Sequence, residues 1–209
     1  MNGNNEKLTL FLLGNSAVGK TSFISKYVNN NFSDNYISTV GIDFFCKTMK
    51  LSTGEDITLK FYDTAGQEVY RSISYNLVKS ADGIFLLYDI TKRKTFDAIY
   101  NWIESIKNIK EDKFPVILIG NKCDIEEERD IDKEEGQKLA DENGFPFIET
   151  SCKKGINIEE SVKLLISDII EKKKLERENE NNQNVNKESS FRLSKDRGRG
   201  LKNIIKCCI

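Results

Sequence analysis

Over the first 170 positions the apolar residues fall into short blocks separated by glycine and turn residues, and the blocks are of two kinds. Lys7–Leu13 is a nearly continuous apolar run of strand length. Ile57, Leu59 and Phe61 alternate with Thr58, Lys60 and Tyr62, as a half-buried strand requires. Between them Ile42–Leu51 is strand-like and ends at Ser52-Thr53-Gly54-Glu55, which predicts a hairpin turn. Gly83–Asp89, Pro115–Asn121 and Pro146–Glu149 predict three further strands. The intervening stretches change period. Phe96, Ile99, Ile103 and Ile106, and later Ile158, Val162, Leu165, Ile166 and Ile169, recur at the spacing of one helix face. Alternating strands and helices predict an α/β domain with a mostly parallel sheet covered on both faces. Its ligand should sit beyond the carboxyl ends of the strands.

After about Ile170 the pattern dissolves into Glu171-Lys172-Lys173-Lys174 and then an Asn/Glu-rich stretch that cannot bury enough apolar surface to offset its ordering entropy. This divides the chain into a folded domain over 1–175 and a flexible, variable basic tail over 176–209. No apolar run approaches the roughly 18 residues that would span a bilayer. The start lacks both a signal-peptide pattern and a glycine after Met1, so the expected setting is the cytosolic side.

Charge sharpens the division. The chain's net charge is −1, yet Val185–Ile209 holds seven basic and two acidic residues, so that the tail is +5 and the remainder −6. With no histidine, imidazole catalysis and histidine-ligated zinc are excluded. The five cysteines, Cys46, Cys123, Cys152, Cys207 and Cys208, have no disulfide or metal-ligand spacing, which suits a reducing compartment.

Gly14-Asn15-Ser16-Ala17-Val18-Gly19-Lys20-Thr21 follows the first predicted strand and precedes a helix-like stretch, the context a phosphate-binding loop needs. Its glycines let backbone N–H groups turn inward around a phosphate. Lys20 adds a point charge, and the Thr21 hydroxyl can ligate Mg²⁺. In isolation a glycine-containing turn with a chance lysine would read the same way. Downstream, Asp63-Thr64-Ala65-Gly66-Gln67-Glu68 closes the alternating strand. There Asp63 can hold magnesium through a water, and Gly66 can offer an N–H to a γ-phosphate. Gln67, a neutral amide, can orient an attacking water. Asn121-Lys122-Cys123-Asp124 ends another strand on the same rim. The Asp124 carboxylate, an acceptor only, matches the paired donors of guanine and rejects adenine. Asn121 can tie the base loop to the phosphate loop, and the Lys122 stem can lie over the ring. The third rim segment, Thr150-Ser151-Cys152-Lys153, can bring backbone donors to the guanine O6.

With these segments in order over about residues 7–170, the sequence resembles the Ras superfamily of small GTPases and, within it, the Rab family. Rab character lies in Tyr36–Phe44, Tyr70–Ser74 and Leu87–Thr91. The resemblance implies a P-loop small GTPase fold and a switch that binds GTP or GDP with Mg²⁺ and hydrolyses GTP slowly. It places Thr39 on the metal and γ-phosphate, Ser22 among the nucleotide contacts, and Phe32 against the guanine. Tyr62, Val69, Leu77-Val78 and Cys152 depart from the Rab pattern, where Trp, Arg, a Tyr pair and Ala are usual. Phe44, Tyr62 and Leu77 belong to the aromatic patch that effectors read, so its shape is altered here.

The terminus Lys206-Cys207-Cys208-Ile209 is not a C-a-a-X box, because lysine is fourth from the end. It resembles the Rab double-cysteine end, which implies geranylgeranyl groups on Cys207 and Cys208. Two chains and a basic tail meet the two-signal requirement for stable anchoring. The implied partners are an exchange factor, a GTPase-activating protein, a GDP-dissociation inhibitor or escort protein, effectors and a membrane. Nucleic acid is not expected, and the nucleotide-binding domain should be monomeric. The implied location is the cytoplasmic face of an endomembrane compartment, in exchange with the cytosol. A non-hydrolysing nucleotide-bound scaffold is the competing reading, disfavoured by the joint presence of Lys20, Thr39, Asp63 and Gln67. An ATP-using enzyme is disfavoured by Asp124.

Overall fold

A computed structural model of the chain describes residues 6–33, 42–51, 53–64, 78–109 and 114–178. It divides into two units, 1–169 and 170–209. In the second unit 170–178 is helical.

The first unit is built on six strands: β1 (Glu6–Leu13), β2 (Ile42–Lys50), β3 (Asp56–Thr64), β4 (Gly83–Asp89), β5 (Val116–Asn121) and β6 (Phe147–Thr150). Their order across the sheet is β2-β3-β1-β4-β5-β6. Only the β2–β3 hairpin is antiparallel; β1 pairs in parallel with β3 and β4, and β5 with β4 and β6. The helices are α1 (Lys20–Asn29), α2 (Arg93–Asp97), α3 (Ile99–Lys107), α4 (Lys133–Asn143) and α5, which begins at 158.

Alternation along the strands sorts side chains between two cores. Leu8, Leu10 and Leu12 of β1 face one side with Ile57, Leu59 and Phe61 of β3, covered by Phe23, Ile24 and Tyr27 of α1 and by Val162, Leu165 and Ile169 of α5. Phe11 and Leu13 face the other side with Ile84, Leu86 and Tyr88, covered by Phe96, Trp102, Ile103 and Ile106 and by Leu139 and Ala140 of α4. Every residue of β4 and β5 is buried, as expected of central parallel strands covered on both faces. The six strands, the mostly parallel sheet and the helices on both faces are the α/β architecture expected above. The apolar pattern does not mark α4, whose buried residues are only Gly136, Leu139 and Ala140.

The parallel register aligns the carboxyl ends of the strands. Asp89 lies opposite Asn121, and Asn121 opposite Thr150, while Asp63 lies opposite Leu12 on the far side of β1. One rim therefore carries the chemically interesting ends of four strands. Among the described residues no helix is long and apolar enough to cross a membrane.

Candidate functional site

Between β1 and α1 the chain passes through Gly14 (φ +137°), Ala17 (φ +62°) and Gly19 (φ +100°), a run of left-handed positions that curls backbone amides inward. Glycine is required at two of them by contact as well as by φ. A Cβ on Gly14 would lie 2.2 Å from the Leu87 carbonyl oxygen, and one on Gly19 would lie 2.3 Å from Asn121 Nδ2. Gly19 has no side chain with which to cap α1, and the first turn of α1 carries no acidic residue. The helix thus presents its open N–H groups and positive end to whatever occupies the loop.

Inside this loop the Lys20 ammonium, 6% exposed, donates to the carbonyls of Gly14 and Asn15, both at 2.9 Å. Burial lowers its pKa to about 8, against an opposing pull from the Asp63 carboxylate. Thr21 Oγ1 donates to Asp63 Oδ2 at 2.5 Å, and Asp63 is fully buried at the end of β3. A hydroxyl beside a buried carboxylate is a hard oxygen pair, the donor type magnesium takes. The structure therefore brings Lys20, Thr21 and Asp63 together. Ser16 and Ala17 are exposed at the crest of the loop, Val18 is buried beneath it, and Ser22 is half-buried on α1.

Asn121 joins this loop to the next. Its Nδ2 donates to the Val18 carbonyl at 2.8 Å, while its Oδ1 accepts from Thr150 Oγ1 at 3.1 Å and from the Cys152 thiol at 3.4 Å. Burial pushes the Cys152 thiol up to about 12, so it stays protonated and acts as a donor. Lys122 takes a left-handed conformation (φ +72°), and its ammonium pairs with Asp89 Oδ2 at 2.6 Å. The other Asp89 oxygen accepts from Thr91 N–H at 3.0 Å and Thr91 Oγ1 at 2.8 Å. Asp124 is half-buried on the same rim. Arg129 supports the loop from below, bonding Glu149 and Glu126 with both ends of its guanidinium.

The Ser151 backbone is already committed: its N–H donates to Ile156 O at 3.1 Å, and its side-chain oxygen accepts from Lys154 N–H at 3.0 Å. Ser151 thus shapes the third loop, and its amide is not free for a base. Phe32 is half-buried and packs against the core on the α1 side. Thr39, Gly66, Gln67, Cys207 and Cys208 lie outside the described residues, as does most of the 176–209 tail. Phe44 is exposed and tilted against Tyr62 at 6.4 Å between centroids, and Tyr62 stacks on Phe11 at 4.7 Å.

Residues 9–171 match the Ras family. The chain is 45% identical to the Ras-related protein Rab-3C of Bos taurus over 163 residues, 78% of this chain and 71% of that one. It is 45% identical to Rab-3D and 44% identical to Rab-3A of Homo sapiens, in each case covering 78% of this chain and 74% of the relative. The chain belongs to the Rab small GTPases of the Ras family. It is a GTP-binding switch of vesicle traffic that hydrolyses GTP to GDP.

Sequence reasoning missed Asp89 and Trp102 in this GTPase's site, and of Thr150 it named the backbone but not the hydroxyl that bonds Asn121. Asp89, fully buried under Lys122, was signalled only by its place at a strand's carboxyl end in register with Asn121. Thr150 has the same signal one strand further along. Trp102, whose indole Nε1 donates to Asn15 Oδ1 at 3.0 Å, has no local signal, because 87 positions separate the two.

Proposed function

We propose that the rim binds GTP and GDP with Mg²⁺ through the residues named above, and that the nucleotide-binding domain spans about 1–175. In this reading the amides of 15–20 and the Lys20 ammonium hold the phosphates, Thr21 and Asp63 hold magnesium together with Thr39, and Gly66 meets the γ-phosphate. When bound, magnesium neutralises charge across the β- and γ-phosphates. Gln67 orients the attacking water. Asp124 reads the guanine donors, the Lys122 stem and Phe32 flank the ring, and the amides of Cys152 and Lys153 approach it. Lys122 can serve as a fixed platform because Asp89 holds its ammonium.

The reading extends to the cell. Geranylgeranyl groups on Cys207 and Cys208, with the basic tail, would anchor the protein to the cytoplasmic face of an endomembrane compartment. A GDP-dissociation inhibitor or escort protein would return it to the cytosol. An exchange factor loads GTP, effectors read the loaded form, and an activating protein ends the signal.

The observation that carries the nucleotide reading is Asn121, which bonds the phosphate loop at Val18 and the third loop at Thr150 and Cys152. Phosphate and base segments thereby become one frame. The test is turnover by purified protein of GTP against ATP and xanthosine triphosphate. GTP should be strongly preferred. In Asp124→Asn the amide can turn an acceptor or a donor toward the base, so xanthosine triphosphate should gain on GTP by at least tenfold, about 1.4 kcal/mol. Equal use of ATP and GTP by the parent, or selectivity unchanged in the variant, would overturn the assignment.

A further inference from the structure

The phosphate loop is held at both ends, by Asn121 and Cys152 of the nucleotide-binding segments and by Trp102, which lies outside them. At the far end Asn121 Nδ2 bonds the Val18 carbonyl. At the near end Trp102, on α3, donates its indole N–H to Asn15 Oδ1 at 3.0 Å. Between them Ser16 and Ala17 are exposed. We propose that Trp102 is a positioning residue for the phosphate loop, acting through Asn15, and that it sets how fast GDP leaves. This rests on the nucleotide reading above.

Three observations support the assignment. An indole nitrogen only donates, whereas a primary amide has one accepting end and one donating end. The bond therefore fixes which way the Asn15 amide faces and, with it, the side chain's rotamer. Secondly, Asn15 accepts on both of its oxygens. Its side-chain oxygen takes the indole N–H, while its backbone oxygen takes the Lys20 ammonium at 2.9 Å. A single residue thus separates α3 from the cation of the loop. Thirdly, Trp102 is only 5% exposed, packed in the core with Ile99, Ile103 and Ile106. The donor is carried on a rigid element, and water has little access to replace it.

The chain contains a single tryptophan, so one indole N–H resonance reports this contact without assignment. The experiment measures that resonance, the release of a fluorescent GDP analogue and thermal unfolding for the parent, Trp102→Phe, Asn15→Ala and the double variant. Each single variant should release GDP about 2- to 10-fold faster, equivalent to ~0.4–1.4 kcal/mol, the scale of one hydrogen bond. The double variant should be no faster than the faster single one, because both remove the same bond. Asn15→Ala should displace the indole resonance, a readout that needs neither nucleotide nor the Trp102 variant to be stable. An indole resonance unmoved by Asn15→Ala overturns the proposal. So do lowered melting temperatures with GDP release unchanged, or additive effects in the double variant. Failure of the parent to retain GDP overturns the nucleotide reading and this proposal together. Tight GDP binding with release indifferent to both variants overturns this proposal alone.

Discussion

The Lys20 ammonium sits between two loop carbonyls and near the Asp63 carboxylate, and desolvation nevertheless wins, lowering its pKa to about 8. Its ordinary value is about 10.4. Below pH 8 the lysine is protonated in both folded and unfolded chains, and the nucleotide-free fold carries a cost on the order of 3 kcal/mol for holding it there. Between about 8 and 10.4 the unfolded chain keeps a proton that the folded one has lost, so stability of the nucleotide-free protein rises with pH across that window. A phosphate placed on the ammonium acts in the opposite sense: it favours the charged form, and binding takes up a proton wherever the free loop is deprotonated. GDP affinity should therefore be nearly flat up to about pH 7 and fall about fourfold by about pH 8.5. Calorimetry in two buffers of different ionisation enthalpy should find about half a proton taken up at pH 8. An affinity independent of pH over this range would show that Lys20 keeps its proton in the free loop, against the depressed pKa. The loop motif was legible because its residues are adjacent in sequence. Asp89 and Trp102 were not, because their roles depend on which strand end or helix turn the fold brings opposite them.

At the scale of elements, legibility followed buried apolar content. β4 and β5 were readable because all their residues are buried, and β3 because its alternation is clean. α3 was readable from Ile99, Ile103 and Ile106, although the single period beginning at Phe96 covers two short helices, Arg93–Asp97 and Ile99–Lys107. α4 shows the converse. Its sequence, Lys133–Asn143, is polar apart from Leu139, Ala140 and Gly136, and Gly136 is needed because a Cβ there would lie 2.4 Å from the Tyr88 hydroxyl. What marks this helix is its start. Asp132 accepts from the Glu135 N–H while Glu135 reaches back to the Asp132 N–H at 3.3 Å, a capping box that the spacing of the two acids would have disclosed. Glu135 also grips Arg93 through two bonds of 2.7 and 2.9 Å, linking α4 to α2 across a partly solvated surface. With so little apolar face, α4 should lean on its cap. Asp132→Ala is expected to cost about 1 kcal/mol, or a melting temperature lower by about 2–4 °C, with GDP affinity unchanged. A variant as stable as the parent in denaturant titration would mean that packing alone holds the helix.

Hydrolysis is a property of the whole molecule, because it depends on which positive charges can reach the γ-phosphate. Lys20 is one. Lys122, on the same rim, is spent on Asp89. The described arginines of the first unit are also committed, Arg93 to Glu135 and Arg129 to Glu126 and Glu149. Strong hydrogen bonds to carboxylates raise the pKa of both guanidiniums, and Arg129, largely buried with Glu149, cannot leave without stranding that carboxylate. The segment Asn30–Gly41 contains no arginine or lysine, and Arg71, four residues beyond Gln67, is the remaining arginine of the first unit. A G protein that carries its arginine in cis hydrolyses GTP at about 10⁻² s⁻¹, while one that lacks it runs near 10⁻⁴ s⁻¹ until an activating protein supplies the charge. The chain is therefore expected to hydrolyse GTP at a rate on the order of 10⁻⁴ s⁻¹ alone and roughly 10³- to 10⁵-fold faster with an activator. Gln67→Leu should slow the intrinsic step further, since it removes the group proposed to orient the water. Single-turnover hydrolysis by purified protein decides the matter. A partner-free rate on the order of 1 s⁻¹ would require a charge-stabilising group in cis, with Arg71 the first to substitute. A rate near 10⁻⁴ s⁻¹ that Arg71→Ala leaves unchanged would establish that the missing charge must come from outside the chain.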